Sequence, residues 1–148
     1  MSADRDRRLD ELLSKQEIHD RLCDYMRGQD RLDPVLHRSV FWDDATTDYG
    51  ICKGDADGFV AFAQNALGPH KSNQHLIGQV RIDLEGDVGF GEVYFIAFHR
   101  IEQDGADRDL FIPAAMSIVM NAGEAYGKSP FARSWSTGRA MIPPRTRS

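Results

Sequence analysis

Four side chains stand where proton chemistry could be done: Asp30, Tyr49, His75 and His99. Imidazole changes charge nearest neutral pH, so the two histidines are the natural candidates for a general acid or base. A carboxylate such as Asp30 beside either ring would fix its tautomer and favour its protonated form. A phenol such as Tyr49 could polarise a carbonyl oxygen, directly or through a held water. Each residue also has an ordinary structural reading: a helix-end aspartate, a core tyrosine with a wet hydroxyl, or strand histidines near water. Spacing alone does not single out a site. His19, His37 and His70 show no partner spacing and read as surface residues. No HExxH or close histidine pair points to a metal, and Gly50, Gly54 and Gly58 do not form a phosphate-binding loop.

The elements that must position these residues fall into two halves. Residues 8–30 predict a helix, with Leu9, Leu12, Leu13, Ile18, Leu22, Tyr25 and Met26 recurring at three- and four-residue steps. Gly28 and "QDRLDP" read as its stop, and Pro34 opens a second short helix through Val40 and Phe41. "DDATTDYG" reads as a turn leading into a short strand. "GDADGFVAFAQNAL" starts with an aspartate cap and continues at helical spacing. The period then changes. "QHLIGQVRIDL" alternates at Val80, Ile82 and Leu84, with Gly78 as a bulge. "EGD" is a turn, and "VGFGEVYFIAFHRI" is a long strand, apolar on both faces and so central in its sheet. Helices followed by antiparallel strands predict an α+β fold, the helices on one face of a curved sheet around an apolar pocket.

The chain has 148 residues and a net charge of −5, which suits one domain and no nucleic-acid partner, since phosphate binding needs a basic surface. No apolar run reaches membrane-spanning length, so no membrane partner is expected. "MSADRDRRLDELLSK" lacks the apolar core of a signal peptide. The two cysteines, Cys23 and Cys52, have no metal-type spacing and suit a reducing compartment; a cytoplasmic location is expected.

The segments "QEIHDRLCDYMRGQDRLD", "TTDYG", "NQHLIGQ" and "EVYFIAFHR" resemble the nuclear-transport-factor-2-like (NTF2-like, cystatin-like) superfamily, in its SnoaL-like branch. They are most similar there to scytalone dehydratase-like proteins, over roughly residues 8–111. The resemblance implies a cone of helices and curved sheet, and a lyase that removes water from a ring ketone without a cofactor. It places His75 as principal acid/base, Asp30 as its carboxylate, His99 as a second active-site histidine and Tyr49 as a water-holding tyrosine. Tyr25, Cys52 and Ala97 are expected to contact a small apolar substrate. The family's second water-holding tyrosine is replaced by Gln29. The same superfamily includes a dehydrochlorinase, cyclases and isomerases that abstract an acidic proton in an apolar pocket, and non-catalytic members, so isomerisation, cyclisation or simple ligand binding remain open.

From Pro113 the resemblance stops. The chain reads "PAAMSIVMNAGEAYGKSPFARSWSTGRAMIPPRTRS", where the family has two long strands. If each new codon takes the third base of one residue's codon and the first two of the next, permitted synonymous choices let residues 116–138 be read as "YVDRYERRGGVWKIAFRSELVDW", which is similar to the family ending. A frameshifted ending is therefore expected for the atypical segment 113–148 of one SnoaL-like domain. "AMSIVMN" should still form a strand, but "SPFARSWSTGRAM", with Pro130 and Gly138, is a poor one. Its loss would open a sheet edge that a homodimer or homotrimer could cover.

Overall fold

The computed structural model describes residues 2–121 and 132–138. Three helices precede or interrupt a six-stranded sheet: α1 Ser2–Asp30, α2 Pro34–Ser39, β1 Phe41–Asp48, β2 Lys53–Asp55, α3 Ala56–Leu67, β3 Ser72–Glu85, β4 Val88–Gln103, β5 Ala106–Asn121 and β6 Ala132–Gly138. The strand order is β2-β1-β6-β5-β4-β3. All neighbours pair antiparallel except β1 and β6, which run parallel. This is the expected α+β architecture, with N-terminal helices packed on a curved sheet.

Helix α1 buries Ser14, Ile18, Leu22, Tyr25, Met26 and Gln29, a stripe at three- and four-residue spacing. The stripe starts later than the leucine spacing predicts. Leu9, Leu12 and Leu13 are exposed, and this first part carries ion pairs from Arg7 to Asp4 and Glu11 instead. Gly28 lies inside the helix, two residues before its expected end. The helix runs on to Asp30 and closes where Asp33 N–H donates to the Gly28 carbonyl and Leu32 N–H to that of Gln29, with Leu32 at φ 52°. Gly28 serves packing, because a Cβ there would lie 2.7 Å from the backbone of His37 on α2. Asp33 then caps α2, accepting from Leu36 N–H at 2.9 Å. Asp55 does the same for α3 through Gly58 N–H at 2.7 Å.

Residues 43–48, expected to begin as a turn, are strand. An irregularity between Phe41 and Thr46 lets the two exposed aspartates stay in β1 without burying charge. In β3 the bulge falls between Ile77 and Val80, as Gly78 suggested. Asn73, His75 and Ile77 before it, and Val80, Ile82 and Leu84 after it, therefore all lie on the less exposed face. Strand β4 is internal, but its faces differ: Val93, Ala97 and His99 are buried, while Phe90, Tyr94 and Ile96 stay exposed.

Strand β5 begins at Ala106, well before the expected "AMSIVMN", and continues through Pro113. Pro113 lies opposite Ile96 of β4 and outside the β6 pairing, which starts at Ala115, so only one described strand flanks it. The weak segment does supply a strand: β6 is seven residues long and joins β5 to β1. The expected open edge at this point is thus filled. Residues 122–131 and 139–148, including Pro130 and the basic tail, lie outside the described residues.

Candidate active site

The helices and the inner sheet face enclose a cavity of about 330 Å³. Phe59, Phe62, Ala63 and Ala66 of α3 and Phe95, Leu110 and Ile112 of the sheet give it an apolar wall. Tyr25, Gln29, Tyr49, His70, His75 and His99 supply the polar groups. Three of the four residues first singled out are therefore wall residues, drawn from positions 24 or more apart.

Asp30, the fourth, stands behind His75. Its Oδ1 is 2.6 Å from His75 Nδ1, and its Oδ2 accepts from the His75 backbone N–H at 3.0 Å. Both side chains are largely buried, His75 at 7% and Asp30 at 19% exposed. One carboxylate thus holds the strand backbone and the ring that grows from it. A neutral His75 must carry its proton on Nδ1 to satisfy Asp30, which leaves Nε2 with a lone pair. Among the described residues no hydrogen bond reaches that Nε2, and the ring lies in the cavity wall.

Tyr49 follows β1, and its backbone N–H donates to the Cys52 carbonyl at 2.8 Å. Its ring stacks on Phe59 with centroids 4.0 Å apart, and its hydroxyl is 2.8 Å from that of Tyr25. Burial, chiefly, raises both phenols well above their ordinary range, so both are protonated and one can donate to a ligand. Cys52 and Ala97, expected to contact substrate, are not wall residues. Cys52 packs against the core and supports Tyr49 through its backbone; Ala97 is buried opposite His75 in the β3–β4 ladder.

His99 is held by Asn73. Its Nδ1 lies 2.8 Å from Asn73 Oδ1, and its ring meets His75 edge-on at 5.4 Å. Burial, then the nearby His75 and His70, lower its pKa to about 4. This favours the neutral ring over the charged one near neutral pH. Two histidines read as surface residues are not. His70 lines the cavity and is 2.7 Å from the same Asn73 oxygen. His37 is wholly buried among Tyr25, Phe41 and Phe59, with Gln64 Nε2 near its Nδ1 at 3.4 Å. Neither has a partner at a motif-like spacing; only His70 and Asn73, three residues apart, hint at one. His19 is half-buried beside Cys23, with Nδ1 and Sγ 3.7 Å apart. Among the described residues no cluster could hold a metal ion.

Helices packed over a curved sheet around an apolar cavity have the NTF2-like, cystatin-like fold. More narrowly, the pattern of the SnoaL-like domain family matches residues 10–118, and the chain belongs to that family. None of the curated proteins matches its sequence. Solved structures agree on the fold. A candidate scytalone dehydratase from Novosphingobium aromaticivorans is 13% identical with a TM-score of 0.77, covering 89% of this chain and 87% of that one. An NTF2-like protein with a cystatin-like fold from the same organism is 16% identical at 0.75, covering 96% and 92%. The hexachlorocyclohexane dehydrochlorinase LinA-type3 of Novosphingobium barchaimii is 18% identical at 0.75, covering 89% and 90%.

Proposed function

We propose that the protein is a cofactor-independent lyase, dehydrating a small cyclic, largely apolar substrate that carries a carbonyl. His75 Nε2 removes the proton next to the carbonyl. The C–H electron pair passes into an enolate, whose oxygen takes a hydrogen bond from the Tyr25–Tyr49 pair. Collapse of the enolate breaks the C–O bond to a hydroxyl on the next carbon. The His75 imidazolium returns its proton to that oxygen, releasing water and leaving the ring unsaturated. Asp30 balances the charge on His75 while the proton is held. The carrying observation is the 2.6 Å Asp30–His75 contact at the wall of an apolar cavity. Dehydrase and dehydrochlorinase names among structures of the same fold fit an elimination. Isomerisation would use the same base.

Turnover of β-hydroxy cyclic ketones, followed by enone absorbance, tests this. His75→Ala and Asp30→Asn should each lower kcat at least about 100-fold, the usual scale for a lost proton-transfer group, with unchanged far-UV circular dichroism. Full activity in either variant would end the proposal.

A homo-oligomer belongs to the same reading. Leu76, Phe90, Tyr94, Ile96 and Phe111 expose an apolar outer sheet face, and the partner proposed for it is a second copy of this chain, because an apolar face of one sheet matches itself.

A further inference from the structure

Asn73 stands between three groups. Its amide nitrogen donates to the Leu67 carbonyl at 3.1 Å, closing the end of α3. Its Oδ1 lies 2.7 Å from His70 Nδ1 and 2.8 Å from His99 Nδ1. The amide cannot be turned round, because its oxygen would then face the Leu67 carbonyl, acceptor against acceptor. With this orientation Oδ1 offers two lone pairs and no proton. Both rings must therefore bring the hydrogen, each from Nδ1. A neutral imidazole has only one N–H, so the Nε2 of each ring is left as an acceptor. Among the described residues no hydrogen bond occupies either Nε2, and neither is a buried atom without a partner. Both rings line the cavity, with centroids 4.9 Å apart.

We propose that Asn73 locks His70 and His99 as paired acceptors, making this end of the cavity a recognition site for a hydroxyl group, or two adjacent ones, on the ligand. The inference rests on the cavity being the substrate site and adds the substrate class: a cyclic ketone whose ring also carries a hydrogen-bond donor. The two sets of polar groups in the cavity wall are complementary in kind. Tyr25 and Tyr49 offer a donor to a carbonyl, while His70 and His99 offer acceptors that an ether, a halide or a second carbonyl cannot use. Asn73 is a positioning residue, since it acts through the rings and is not itself in the wall. A neutral His99, held so by burial, is consistent with this role.

Two readouts on the full chain test the idea without turnover. Two-bond ¹H–¹⁵N spectra near pH 7 should show Nε2 unprotonated and Nδ1 protonated for both His70 and His99. Calorimetric titration should show 4-hydroxycyclohexanone, whose hydroxyl is not placed for elimination, binding about 5- to 10-fold tighter than 4-methoxycyclohexanone, the scale of one neutral hydrogen bond. Asn73→Asp keeps the acceptor oxygens but adds an anion that draws protons onto both rings, and should abolish or reverse the preference. His70→Phe leaves the Asn73–His99 contact in place; it should keep the His99 tautomer and reduce the preference. A protonated Nε2 on either wild-type ring, or equal binding of the two ketones, would overturn the proposal. Those results would leave the His75 base untouched, whereas an active His75→Ala variant would sink the base and leave the hydroxyl site standing.

Discussion

Asp30 touches His75 twice, through its backbone and through its ring. The backbone contact sets where the ring starts and the Nδ1 contact sets how it turns, so the free lone pair is aimed by one carboxylate. The tyrosines solve the complementary problem. A phenol buried this deeply stays protonated, and when Tyr25 donates to Tyr49 the Tyr49 proton is left for a ligand. Tyr49→Phe should lower kcat by about 10- to 100-fold with little change in KM, less than loss of a sole oxyanion donor because Tyr25 remains. An unchanged kcat would show that the hydroxyl does not serve the transition state. At this scale, His75 and Asp30 were legible through "NQHLIGQ" and the helix-end aspartate. His70 was not: it sits in a loop, and its link to His99 runs through an amide, a residue type too common to signal anything alone.

At the scale of elements, the site depends on how closely α2 packs on α1. Gly28 permits that approach, and Asp30 lies two residues further along the same helix. Gly28→Ala should destabilise the protein by about 1–3 kcal/mol, the usual cost of overpacking, read as a lower urea midpoint. A neutral substitution would mean that α2 moves aside freely. The helices and the β3–β4 hairpin were legible because α3 and the second half of α1 keep a 3.6 period and β3 alternates at 2. The packing role of Gly28 was hidden because a glycine near a helix end resembles a stop signal, and only the neighbouring helix reveals it. The start of β5 was hidden by "ADRD", whose charges sit on an exposed strand: Asp109 pairs with Arg100 across the ladder. Weak β-propensity in "ARSWSTG" likewise gave no hint that strands on both sides would hold it.

For the whole molecule, burial of imidazoles sets the acid limit. His37 has its pKa lowered to about 4, by burial first and the charge of His75 second, and His99 is lowered similarly. Above about pH 7.5 both rings are almost wholly neutral folded or unfolded, so they contribute almost no pH dependence. Below it the unfolded chain takes up protons that the folded one refuses, and stability falls as pH drops towards 4. For His37 alone the loss reaches roughly 3 kcal/mol by pH 4. The urea midpoint should be flat above about pH 7.5 and decline below, and His37→Phe should flatten that decline. No difference between the two profiles would mean that His37 accepts its proton in place. The outer sheet face makes its own prediction. Phe111 is 68% exposed and Ile96 45%, so light scattering should find an oligomer that Phe111→Asp dissociates. A wild-type monomer at high concentration would refute the shared face.

The most direct measurement is exchange of the α-hydrogens of cyclohexanone for deuterium in D₂O, followed by NMR. It needs a base and a carbonyl-binding cavity but no leaving group, so it isolates proton removal from everything that follows. Wild-type protein should accelerate exchange, Asp30→Asn should lower the acceleration steeply, and His75→Ala should abolish it. Exchange that persists in His75→Ala at the wild-type rate would contradict the assignment of that imidazole as the base.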